Sequence, residues 1–132
     1  MIQNEYNIIS HQIIKCAIEV HKQLGPGLME SVYEICLSKE LQCLGLKLER
    51  QKMLPVIYKG SVLQKEFVID QLVENKVIIE LKSVECILPI HEAQLVTYLK
   101  LSEIKLGLLI NFNVPVLKEG IRRKINGNLG NK

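Results

Sequence analysis

Residues 77–85 read VIIELKSVE. From Val77 to Leu81 every residue is apolar except Glu80, and Lys82 follows two positions later. Valine and isoleucine dominate, so the run predicts a strand that is mostly buried. Burying a charge is costly unless it is paired or bound to a metal. A carboxylate and an ammonium at the end of such a strand therefore need a reason.

Punctuation and periodicity set out the elements on either side. Residues 5–23 predict a helix, because Ile9, Ile13, Ala17, Val20 and Leu24 recur at steps of three and four. The GPG at Gly25–Gly27 ends it, and a second helix over 28–44 carries Tyr33, Leu37, Leu41 and Leu44 on one face, with Glu30 on the same stripe. Three strands follow. KLERQKMLPVIYK is weakened at Pro55, which suggests an edge or a bulge. VLQKEFVID runs on to Val73, and KVIIELKSV is the third. A helix over 89–102, the buried strand IKLGLLINF and a short closing strand or helix, LKEGIRRKIN, complete the chain. The order α-α-β-β-β-α-β gives an α/β fold: a mixed sheet flanked by helices. Tight turns make neighbouring strands antiparallel, and the helical crossover makes one pair parallel.

The chain has 132 residues, which suits one domain spanning 1–132. Aromatics make up 5% and tryptophan is absent, so the core must be built from leucine, isoleucine and valine. The net charge of +3 permits a nucleic-acid partner without demanding one. The basic segment LKEGIRRKINGN suits either a phosphate-facing patch or a solvated tail. Cys16, Cys36, Cys43 and Cys86 form no C-x-x-C pair and the histidines add no zinc spacing, so free buried thiols are expected. No signal peptide and no membrane-spanning stretch are visible, which points to the cytoplasm and away from membranes.

Side chains alternate across a strand, so Glu80 and Lys82 share a face with Ile78, and Asp70 shares one with Val68 and Leu72. If Val73 and Val77 pair across the turn Glu74-Asn75-Lys76, Asp70 lies opposite Glu80. Cβ atoms of such a pair are about 4.5–5.5 Å apart. Two carboxylates at that distance repel unless one is protonated or a cation sits between them. Oxygen ligands of this kind suit Mg²⁺ or Mn²⁺. Lys82 stands one strand step further on, placed to orient a water or stabilise a phosphate. His91, Gln94 and Tyr98 fall on one face of the next helix, and Glu30 is a further acidic candidate.

Asp70, Glu80-x-Lys82 and Gln94-x-x-x-Tyr98 together resemble the PD-(D/E)xK nuclease superfamily, in particular its RecB-like branch with a Q-x-x-x-Y helix. GLMESVY, with Gly27, Glu30 and Tyr33, is similar to the G-x-x-E-x-x-Y signature of a family of small bacterial and archaeal proteins. The resemblance extends from about Glu5 to Asn126; Ile69 stands where the superfamily motif has proline, a position that supplies no chemistry. It implies a restriction-endonuclease-like core and a metal-dependent phosphodiesterase acting on DNA rather than RNA. Asp70, Glu80 and the Leu81 carbonyl would hold Mg²⁺ or Mn²⁺, with Glu30 contributing directly or through water. Lys82 would position the attacking water, and Gln94 would hold the site or the water, beside Tyr98.

Each residue also has a plainer role. Glu80 and Lys82 would form an ion pair, Asp70 would cap its turn, Glu30 would pair with a lysine on its helix and Gln94 would be a satisfied interior amide. Tyr98 and Tyr33 would pack, Tyr33 bracing Glu30, and His91 would lie at the surface or support its neighbours. The alternative function is a non-catalytic nucleic-acid or protein-interaction module that keeps the fold. Because little chain lies outside the core, a homodimer or a partner protein would supply substrate recognition.

Overall fold

The computed structural model describes residues 2–130. Helix α1, Ile2–Leu24, buries Ile9, Ile13, Ala17 and Val20. Leu24, expected on that stripe, is exposed, because the helix ends there: Gly25 adopts φ +71° and its N–H donates to the His21 carbonyl. Helix α2, Glu30–Cys43, begins two residues later than the sequence suggests. The delay has a local cause. Met29 is extended, and the Tyr33 hydroxyl donates to the Gly25 carbonyl at 2.6 Å while accepting the Leu28 N–H at 3.1 Å. One buried phenol thus satisfies the backbone of the GPG turn. Tyr33, Leu37 and Leu41 are fully buried, whereas Leu44, at the helix end, is exposed.

Strands β1 (Leu48–Tyr58), β2 (Ser61–Val73), β3 (Val77–Lys82), β4 (Leu106–Asn111) and β5 (Ile121–Ile125) lie in the order β1-β2-β3-β4-β5. Only β3 and β4 are parallel, joined by helix α3, Pro89–Ser102. The other neighbours are antiparallel. Pro55 lies in the outermost strand at a register shift, as a residue without an N–H should. The closing segment is both of the expected elements in turn, a short 3-10 helix over Leu117–Gly120 and then β5.

Helices α1 and α2 cover one face of the sheet, where Val73, Val77, Ile79, Leu81, Leu106, Leu108 and Ile110 join their apolar stripes. Helix α3 covers the other, packing Leu95 and Leu99 on Ile69, Leu72, Ile78 and Leu109. Burial on both faces is why β3 and β4 read as near-continuous apolar runs. Helix α3 sits close: a Cβ at Gly107 of β4 would lie 2.8 Å from the Leu95 Cδ1. The cysteines are free, but only Cys16 is buried; Cys36 is partly exposed, and Cys43 at the end of α2 and Cys86 in the loop after β3 are exposed.

The chain after β3 is pinned from both sides. The Ser83 hydroxyl donates to the Leu28 carbonyl, and the buried Asn111 side chain bonds both the N–H and the carbonyl of Val84. Gly120 seats the 3-10 helix against the same region, and a Cβ there would overlap the Asn111 carbonyl oxygen. Gly120→Ala is therefore expected to cost about 1–3 kcal/mol. Gly107→Ala should cost less, because it meets only the tip of a leucine side chain. Urea denaturation of the two variants checks the order, and equal losses would contradict it.

Candidate metal and phosphate site

The β2–β3 ladder pairs Val73 with Val77, Leu72 with Ile78 and Gln71 with Ile79. Glu74 and Asn75, both at positive φ, form the turn. Beyond Gln71 the strands cease to pair through the backbone alone. The Asp70 N–H donates to Glu80 Oε2 at 2.8 Å, and the Leu81 N–H donates to Asp70 Oδ2 at 2.8 Å. Each carboxylate takes the place of a ladder carbonyl, so the end of the hairpin is closed by the two acids themselves.

Asp70 does not keep the face expected for it. Ile69 and Leu72 both belong to the α3-side cluster, while Gln71 reaches helix α2, so the alternation slips between them. The slip matches a break in β1. Arg50 pairs with Gln71 and Lys52 with Ile69, leaving Gln51 across from Asp70 at φ +46°. Asp70 consequently lines a cavity of about 220 Å³ with Glu30, Ser31, Glu34, Gln51 and Leu81.

Burial pushes the Glu80 carboxyl up to about 8; the Asp70 charge adds to this, while the Asp70 N–H and Lys82 work against it. The Asp70 carboxyl is raised as well, first by burial, against the opposing Leu81 N–H. Lys82 is half-exposed and lies near enough to favour both charged forms. Among the described residues it makes no ion pair with either, so the plain strand-end pair is not what the structure contains.

The remaining sequence candidates are spread around this pair. Glu30 opens helix α2; it is exposed, and its carboxylate accepts the Ser83 N–H at 3.3 Å. Tyr98 stacks on Phe67 with centroids 4.7 Å apart, and its phenol is pushed up by burial and by the Glu80 and Asp70 charges. Gln94, one turn earlier, is exposed rather than interior and bonds neither carboxylate. His91 caps α3, its Nδ1 accepting the Leu88 N–H. Of the basic C-terminal residues, Lys124 and Arg122 turn to Glu92 on α3 at 2.6 and 3.9 Å, and Arg123 donates to Asn7. Much of that charge is therefore engaged within the protein.

Sequence reasoning missed a second polar cluster beside the cavity. The buried Glu34 receives two hydrogen bonds from Arg50 at 2.7 and 2.8 Å and one from Ser38 at 2.9 Å. Gln71 donates to the Glu34 carbonyl and to the Ser38 hydroxyl. Burial disfavours the Glu34 charge, but the Arg50 and Ser38 bonds outweigh it and hold its carboxyl below the usual range. Glu34 thus lines the cavity as an acid whose lone pairs are already committed. Only its place one turn after Glu30 marks it in the sequence, and no periodicity identifies Arg50 as its partner.

Over residues 7–124 the chain matches the family model described as the PD-(D/E)XK nuclease superfamily. The chain belongs to that superfamily. Membership points to nuclease activity, and PD-(D/E)XK nucleases generally use divalent metal ions. The "Crystal structure of SSO0001" is 24% identical, with a TM-score of 0.49, and the alignment covers 74% of this chain. This PD-(D/E)XK chain spans about half the length of that solved structure, 50% of which is covered. No curated protein matches significantly.

The donor set fits a hard divalent ion. Asp70 and Glu80 supply oxygen ligands, and a cation beside them would offset the burial that raises both carboxyls and the Asp70 charge that adds to it at Glu80. Among the described residues no group of three Asp, Glu, His or Cys side chains forms a ready ligand cluster. A carboxylate pair is nevertheless what Mg²⁺ commonly takes from protein, the rest of its shell being water and substrate phosphate.

Because Glu80 holds its proton in the folded state up to about pH 8 and an unfolded glutamate releases it near 4.3, stability in EDTA should fall as pH rises between those values. The slope should approach about 1.4 kcal/mol per pH unit and level off above pH 8. Urea unfolding across this range checks it, with Glu80→Gln expected to flatten the slope; an unaltered slope in that variant would assign the effect elsewhere. Separately, Arg50→Ala leaves the buried Glu34 carboxylate short of its strongest donors and should cost about 1–3 kcal/mol. A thermal midpoint equal to wild type would show that water replaces the guanidinium there.

Proposed function

We propose that this PD-(D/E)XK protein is a Mg²⁺- or Mn²⁺-dependent nuclease of the G-x-x-E-x-x-Y branch, hydrolysing phosphodiester bonds in DNA rather than RNA. The observation that carries the reading is the Asp70–Glu80 pair, a half-buried and a buried carboxyl closing one hairpin end beside Lys82. The G-x-x-E-x-x-Y branch is supported by the physical work its residues do: Tyr33 ties the turn containing Gly27 and so sets the start of the helix that carries Glu30.

Asp70, Glu80 and the Leu81 carbonyl would hold the ion, with Glu30 contributing directly or through water. Such an ion, when bound, polarises the phosphoryl oxygen and makes its bound water more acidic. The Lys82 ammonium positions the attacking water and offsets charge developing on the phosphate. The exposed Gln94 amide is free to hold substrate or water, while Tyr98 flanks the carboxylates through its packing on Phe67. A second copy or a partner chain would supply substrate recognition. Free cysteines fit a cytoplasmic setting, and among the described residues no helix is long and apolar enough to cross a membrane.

Cleavage of single- and double-stranded DNA and of RNA should be assayed with Mg²⁺, Mn²⁺ or EDTA. Metal-dependent DNA cleavage that falls at least about 100-fold in Asp70→Ala and in Lys82→Ala, with the fold intact, is the expected result. Asp70→Ala cleaving as well as wild type would overturn it. A non-catalytic module has one observation in its favour, the lack of a three-ligand cluster among the described residues. DNA binding of equal strength in EDTA, without cleavage under either metal, would select that reading.

A further inference from the structure

Five non-glycine residues among those described have positive φ, and four lie where chains turn: Lys59, Glu74 and Asn75 at hairpin ends and Glu103 at the end of α3. Gln51 does not. It lies inside β1, with Arg50 and Lys52 still paired to β2 on either side. A glutamine in the left-handed region of a strand interior is strained, and such strain persists only where surrounding structure imposes it. Irregularities of this kind re-aim side chains next to functional sites. Here the irregularity lies across from Asp70, and Gln51 lines the same cavity as Asp70. The Gln51 amide is also the smallest of the influences on the Asp70 carboxyl, favouring its charge after burial, the Leu81 N–H, Glu30 and Lys82.

We infer that Gln51 is a positioning residue whose left-handed backbone turns its amide onto Asp70, fixing the carboxylate so that it accepts the Leu81 N–H while open to the cavity. The functional part rests on the metal-dependent reading above; the placing of Gln51 across from Asp70 in one cavity does not.

The test is Gln51→Gly, which removes the amide and suits the backbone, so the variant should fold with an undiminished thermal midpoint. Native-state amide exchange reports the Asp70–Leu81 bond without metal. In Gln51→Gly the Leu81 amide should exchange at least about 10-fold faster than in wild type, with the Ile79 amide unaltered. Calorimetric Mn²⁺ affinity should weaken by about 10–100-fold, the usual effect of losing a residue that orients a ligand. Unaltered Leu81 protection overturns the inference whatever the metal does. Faster exchange with unaltered Mn²⁺ affinity overturns its functional part. Faster exchange alongside a wild type that takes up no Mn²⁺ keeps the contact and removes the metal reading.

Discussion

The closing of the β2–β3 hairpin by two acids is the constraint on which the site depends. A ladder can end in water or in side chains, and here each carboxylate bonds backbone belonging to the opposite strand. That arrangement holds two carboxyl groups together in a partly desolvated place, and burial raises both. The surrounding structure sustains it. Helices α1 and α2 seal one side, α3 seals the other, and the apolar strands β3 and β4 run through the middle. The electrostatic tension is local, and the rest of the fold is conventional enough to support it.

The framework was legible because its signals are periodic or punctual. Apolar runs marked β3 and β4, Gly25 marked the end of α1, Pro55 marked an edge with a shifted register, and α3 occupies the residues read from the sequence. The Val73–Val77 pairing, and with it the approach of Asp70 to Glu80, followed from turn chemistry. What escaped the sequence was the phase slip at Asp70. Strand alternation has no term for a left-handed glutamine in the neighbouring strand, so it assigns Asp70 to the face of Val68 and Leu72, whereas the structure turns it into the cavity beside α2. The Glu34–Arg50 pair escaped for a related reason: it joins a helix to a strand 16 residues away, and a propensity scale carries no distance. The plainer reading of Gln94 as a satisfied interior amide does not hold: it is exposed, on the same helix face as the stacked Tyr98 but one turn nearer the start of α3.

Tyr33 shows how one side chain links folding to the site. Its ring stacks on Phe112 at 4.4 Å, at the end of β4, while its hydroxyl gathers the turn between the first two helices. Glu30 and Leu28 are thereby set against Ser83, immediately after Lys82. The helix start, the loop after β3 and the end of β4 are thus registered to one another by a single buried phenol.

The interruption at Pro55 has a meaning beyond register. β1 is the outermost strand, and an open strand margin offers its free amides and carbonyls to any other extended chain. A proline within it withholds one donor, the adjoining register shift interrupts the ladder, and Lys52 places charge along it. These are features by which natural sheets resist joining edge to edge into fibres. Exposed Met53, Ile57 and Val62 would otherwise make this ribbon a sticky one. A residue that weakens the strand thus helps to keep the molecules apart.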